Sequence, residues 1–84
     1  MTRPVKRSFS IDGHRTPISL EAEFWNALNV AAAEDGATLA ALVGAIDKQR
    51  GQAGLSSAVR VWLLHRLEER SNARGADPLR QTAE

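Results

Sequence analysis

The chain has 84 residues, 43% hydrophobic and 25% charged, with a formal net charge of +1 and no cysteine. That length allows one small domain, and the missing thiols exclude both a disulfide framework and a thiolate metal site. A core this small needs reinforcement, and a dimer interface is the remaining source. The basic start, Met1 to Arg7, is not followed by an apolar run long enough for a signal peptide or a membrane span, so the expected location is the cytoplasm.

Charge is distributed unevenly. Residues 1–20 hold Arg3, Lys6, Arg7 and Arg15 against Asp12 alone, a net +3. Residues 21–50 hold Glu21, Glu23, Glu34, Asp35 and Asp47 against Lys48 and Arg50, a net −3. A phosphate-bearing partner would therefore meet the N-terminal end.

Residues 1–4 read as a flexible basic arm. From Val5 to Ile11 apolar and polar residues alternate, the period of a strand with one buried face, and Arg7 breaks the apolar side. Asp12-Gly13 then signals a two-residue hairpin turn, because both turn positions need positive φ. Such a turn pairs Ile11 with His14, Phe9 with Thr16, Arg7 with Ile18 and Val5 with Leu20. One face then holds Val5, Phe9, Ile11, Ile18 and Leu20. The other holds Lys6, Ser8, Ser10, Arg15, Pro17 and Ser19, a small basic surface open to a phosphate. The stem of Arg7 can instead lie over the core.

Ser19 is a candidate cap for a first helix from about Leu20 to Asp35, with Phe24, Leu28 and Ala31 or Ala32 inward, Trp25 flanking, and Gly36 ending it. Thr38 caps a second helix whose apolar stripe is Leu39, Leu42, Val43 and Ile46. Gly51 and Gly54 bound a loop, and a third helix is expected from Ser56 or Ser57 with Leu55 as a hydrophobic staple. Its residues Val59, Val61, Trp62, Leu63, Leu64 and Leu67 cover more than one face, so it needs both its own core and a partner chain. From about Ser71 to Glu84 no periodicity remains, and this stretch reads as a mobile tail after a domain of residues 5–70.

The strand Thr16-Pro17-Ile18-Ser19-Leu20, a helix of about four turns, Gly36, and Thr38 opening a second helix with Leu42-Val43 inward resemble the ribbon-helix-helix family of bacterial DNA-binding proteins. Lys6-Arg7-Ser8, Gly13-His14-Arg15-Thr16, Phe24-Trp25, Ile46-Asp47 and Leu55-Ser56-Ser57-Ala58-Val59-Arg60-Val61 resemble a small subfamily of such domains. The resemblance implies a mainly α fold with a short N-terminal hairpin or ribbon and an appended third helix. It also implies a homodimer whose paired strands enter the major groove of double-stranded DNA. It places Arg15, Pro17 and Ser19 outward, with Arg15 as the base reader and Ser19 as a weaker one. Lys6, Arg7 and Ser8 become phosphate contacts, and Thr38-Leu39 falls where the family holds a phosphate on helix N-terminal amides. Phe9, Ile18, Leu20, Val61, Trp62 and Leu64 are the expected dimer contacts.

Proline complicates the strand. In the hairpin the amides of 14, 16 and 18 point to the first strand and those of 15, 17 and 19 point outward, where Pro17 has no N–H to offer. Either the hairpin or a ribbon between two chains is then the better ladder.

Other readings are weaker. His14 and His65 lie at no metal-ligand spacing, no cofactor motif occurs, and Ser56-Ser57 caps a helix without a base nearby to make a nucleophile. Glu34-Asp35 and Glu68-Glu69-Arg70 read as solvated faces. No constellation for an enzyme is present. The rival to DNA binding is a protein-interaction module of the same fold, such as an antitoxin-like subunit or adaptor that holds a second protein through Trp62 and the tail.

Overall fold

The structure, a computed structural model, describes residues 3–74. Two strands, β1 (Val5–Ile11) and β2 (His14–Leu20), are followed by three helices, α1 (Ala22–Glu34), α2 (Leu39–Gln49) and α3 (Leu55–Arg74). Met1, Thr2 and residues 75–84, which hold half of the expected arm and most of the expected tail, lie outside the described residues. Residues 71–74 are the last turn of α3, so the helix runs past the expected domain end.

The strands pair antiparallel in the register expected from the turn, from Val5 opposite Leu20 to Ile11 opposite His14. Asp12 (φ 52°) and Gly13 (φ 79°) both take the left-handed conformation that a two-residue turn of this hand requires. Because side chains alternate, Ile18 and Leu20 enter the core at 1% and 0% exposure, while Lys6, Ser8, Ser10, Arg15 and Pro17 remain exposed.

Helix α1 starts later than expected. Ser19 belongs to β2, and Glu21 stands at the helix start with its carbonyl accepting from the Phe24 and Trp25 amides at 2.9 and 3.1 Å. With this phase Trp25 turns inward, 2% exposed, beside Leu28, Ala31 and Ala32, and Phe24 flanks the core. The helix closes with Gly36 at φ 66° and the Ala37 amide donating to the Ala32 carbonyl at 2.9 Å.

Thr38 caps α2 as expected, its Oγ1 accepting from the Ala41 amide at 3.1 Å, and Leu42, Val43 and Ile46 are buried. Helix α3 opens at Leu55, one or two residues before the expected Ser56 or Ser57, with the Ala58 amide bonded to the Gly54 carbonyl at 2.9 Å. Leu55, Val59 and Leu63 complete a single core shared by the hairpin and the three helices. Glu34 and Asp35 are not merely solvated: Arg66 reaches Asp35 at 2.8 Å and Glu34 at 3.2 Å, and Arg70 reaches Glu34 at 3.0 Å. These pairs hold the end of α1 to α3.

Candidate nucleic-acid interface

The outer face of the hairpin is built from three cross-strand pairs, Ser10 with Arg15, Ser8 with Pro17 and Lys6 with Ser19. Lys6 and Arg15 stand at opposite ends of this face, and strand geometry separates Lys6 from Arg15's partner, Ser10, by about 13 Å. None of the six side chains is acidic. Two strands about 4.8 Å apart make a ribbon narrow enough for the roughly 12 Å major groove of B-form DNA.

Arg7 does not join this face. It lies on the core side of β1, with its guanidinium carbon 5.0 Å from the centre of the Trp25 ring, the placement expected if its stem lies over the core, and away from Lys6 and Ser8. Trp25 in turn donates from Nε1 to the Val5 carbonyl at 2.9 Å and stacks obliquely on Phe9 at 5.9 Å. Those contacts fasten the ribbon to α1.

Ser19 is placed differently from the rest of the face. It is half-buried, its amide donates to Ser56 Oγ at 3.1 Å, and its carbonyl accepts from Arg60 Nη2 at 3.3 Å. Arg60 also binds the Glu21 carboxylate from Nε and Nη2, at 3.2 and 2.9 Å. That hydrogen bond is the main reason the Glu21 carboxyl titrates below its ordinary range. Helix α3 thus seals the outer edge of β2 at Ser19, and Pro17 offers no N–H there. Within the chain, the ladder goes to the hairpin.

Thr38 is exposed and Leu39 half-buried at the start of α2, and the next turn, Ala40 and Ala41, shares a cleft with Ser10, Ile11 and Asp12. The start of α2 therefore lies near the turn end of the ribbon, where Arg15 also stands. The remaining expected residues do not gather in one place. Phe9 is half-buried against Trp25, and Ile18 and Leu20 are wholly inside the chain's own core. This corrects the expectation that Ile18 and Leu20 meet a second chain, since their side chains already fill the space under the sheet. Trp62 packs half-buried against the core with the Arg66 guanidinium 5.4 Å from its ring centre. Val61 and Leu64 are exposed.

Residues 4–67, which run from the hairpin through most of α3, match a family profile described as "Ribbon-helix-helix domain". The chain belongs to the ribbon-helix-helix domain family. Ribbon-helix-helix domains are DNA-binding modules without enzymatic activity, typically acting as dimers. Comparisons with curated proteins and with solved structures give no match. Among the described residues of this ribbon-helix-helix domain, no group of three His, Cys, Asp or Glu side chains could hold a metal ion, and no helix is long and apolar enough to cross a membrane.

Two participants carry no local sequence signal. The contacts of Ser56 and Arg60 with Ser19 span 37 and 41 residues, and only the packing of α3 against β2 reveals them.

Proposed function

We propose that this ribbon-helix-helix domain is a cytoplasmic transcriptional regulator that acts as a homodimer and lays the outer face of a two-stranded ribbon in the major groove. Each chain supplies its own ribbon, the β1–β2 hairpin. The observation that carries this reading is the six-residue face free of carboxylates, with Lys6 and Arg15 at its two ends. Arg15 reads a base edge, and a bidentate bond to guanine is worth about 1–3 kcal/mol of discrimination. Lys6 and Ser8 hold the phosphate backbone, and the amides at Thr38-Leu39 take a further phosphate near the ribbon's turn. Ser19 reads only through its hydroxyl, because its main chain is committed to α3.

The test is a titration of duplexes selected from a random pool by the wild-type chain, run at two salt concentrations. Arg15→Ala should flatten the preference for selected over unselected duplex by about 1–3 kcal/mol. Lys6→Ala should weaken all duplexes alike and lower the salt slope by about 1. Both residues are exposed, so the fold should persist. A double variant that is folded and binds as the wild type does would refute the reading.

A further inference from the structure

Five large apolar side chains are exposed among the described residues, and four of them, Val30, Val61, Leu64 and Leu67, lie along one side of α1 and α3. Their exposures are 54%, 51%, 53% and 63%. Between the two helices runs a groove of about 470 Å³ floored by Phe24, Ala27 and Leu63 and flanked by Val61, Leu64 and Leu67. A second groove of about 260 Å³, lined in part by Val30 and Leu63, lies on the other side of Leu67. Water covers this surface in the single chain, which is unfavourable by about 25 cal/mol for each Å² of hydrocarbon left wet.

The order of residues along α3 says what covers it. Reading outward from Leu64, Val61 lies three residues before it and Leu67 three after. Arg60 and Glu68 lie four residues away, and Ser57 and Ser71 seven. Reversing the helix therefore reproduces the pattern with the sign of the charge inverted. Two such helices packed antiparallel with Leu64 on the two-fold axis set Val61 against the partner's Leu67. In the same register they set Arg60 against the partner's Glu68. Arg60 is bonded to Ser19 and Glu21 through Nε and Nη2 and lies over the Phe24 ring at 5.5 Å, which holds its guanidinium at the edge of this groove. Helix α3 is 20 residues long, about 30 Å, which gives the paired segment room on both sides of the axis. The rest of the sequence is a poor occupant: residues 75–84 contain one large apolar residue, Leu79.

We infer that this face is the interface between two copies of the chain, joined by antiparallel α3 helices centred on Leu64. The inference takes the homodimer from the proposed function and names its contact surface. It does not depend on DNA binding. The outer face of the hairpin is not consumed, so both ribbons stay available.

Sedimentation of the full chain without DNA tests it. The wild type should sediment as a dimer at micromolar concentration. Leu64→Glu, which puts two like charges on the axis, should weaken the dimer by on the order of 100-fold or more while leaving the helical circular dichroism unchanged. The chain has no cysteine, so Leu64→Cys supplies one thiol per copy, and a short bifunctional thiol reagent should join two copies of it efficiently. Leu67→Cys, whose thiols lie apart on either side of the axis, should be joined far less. A monomeric wild type, a Leu64→Glu chain that stays dimeric, or equal linking at positions 64 and 67 would each overturn the inference. Loss of DNA binding in an intact dimer would instead count against the strand-face reading alone. A wild type that is monomeric alone and pairs through this face only with a different protein would also overturn it.

Discussion

The outer face of the hairpin and the outer face of α3 are both left uncovered by the chain's own core, and they differ in what that exposure costs. On the hairpin, Lys6, Ser8, Ser10 and Arg15 meet water that hydrates them well, so the face is stable empty and a partner must compete with solvent. On α3, Val61, Leu64 and Leu67 gain when any apolar surface displaces water. The first surface therefore suits reversible, salt-sensitive contact, and the second suits a standing assembly. Alternation explains how one short chain makes both. A strand whose inner residues are consumed by the core has only polar residues left outside, whereas a 20-residue helix can bury Leu55, Val59 and Leu63 and still carry a second apolar line.

The hairpin face depends on Trp25, which fastens β1 to α1, and removing it should break the contrast most severely. Its ring is 2% exposed, and it carries Phe9 and Arg7 on it and a bond to the Val5 carbonyl. Trp25→Ala should cost about 3–5 kcal/mol in a denaturant titration, with hairpin amides losing hydrogen-exchange protection before those of α3. Trp25→Phe keeps most of the ring contact and should cost only about 1 kcal/mol for the lost bond. Equal loss of protection in hairpin and helices would mean the ribbon is not separately fastened.

Trp25 also marks where sequence reasoning reached its limit. Asp12-Gly13 pinned every strand pair, since a two-residue turn admits one register. Thr38 and Gly36 ended their helices as local chemistry required. Phe24 and Trp25, however, satisfy the helical period with Leu28 equally well, at four and three residues' distance. The choice is made by the hairpin lying over α1, which no local pattern encodes. The face at Lys6, Ser8 and Arg15 was legible for the same reason the register was. The use of Ser19 by Ser56 and Arg60 was not, because it joins residues 37 and 41 apart in the chain.

Ser56→Ala tests that long-range seal with a smaller effect. Losing the 3.1 Å bond from the Ser19 amide should cost about 1 kcal/mol, a fall in Tm of about 4–8 °C for a domain of this size. The Ser19 amide should gain exchange out of proportion to its neighbours, while dimer sedimentation stays as in the wild type. A change in sedimentation would show that the edge of β2, and not only α3, decides how copies associate.

Acid sharpens the comparison last and least, because it loosens both faces from one side. Arg66 holds the Asp35 carboxyl below its ordinary range, chiefly by hydrogen bonding, as Arg60 does for Glu21. A carboxyl depressed in the folded chain contributes stability that is fully present above its unfolded pKa, about 4. The contribution is lost as pH falls through the lower folded value. Stability should therefore be flat near neutral pH and decline below about pH 4, by a small amount because both pairs are open to solvent. Arg66→Gln should remove part of the acid slope by cutting the tie from α1 to α3. Arg60→Gln should remove part of it by cutting the tie from the hairpin to α3, and only this second variant should also raise exchange at Ser19. Identical exchange patterns in the two variants would show that the hairpin and helical faces are coupled through the core alone, with the ion pairs adding nothing to either.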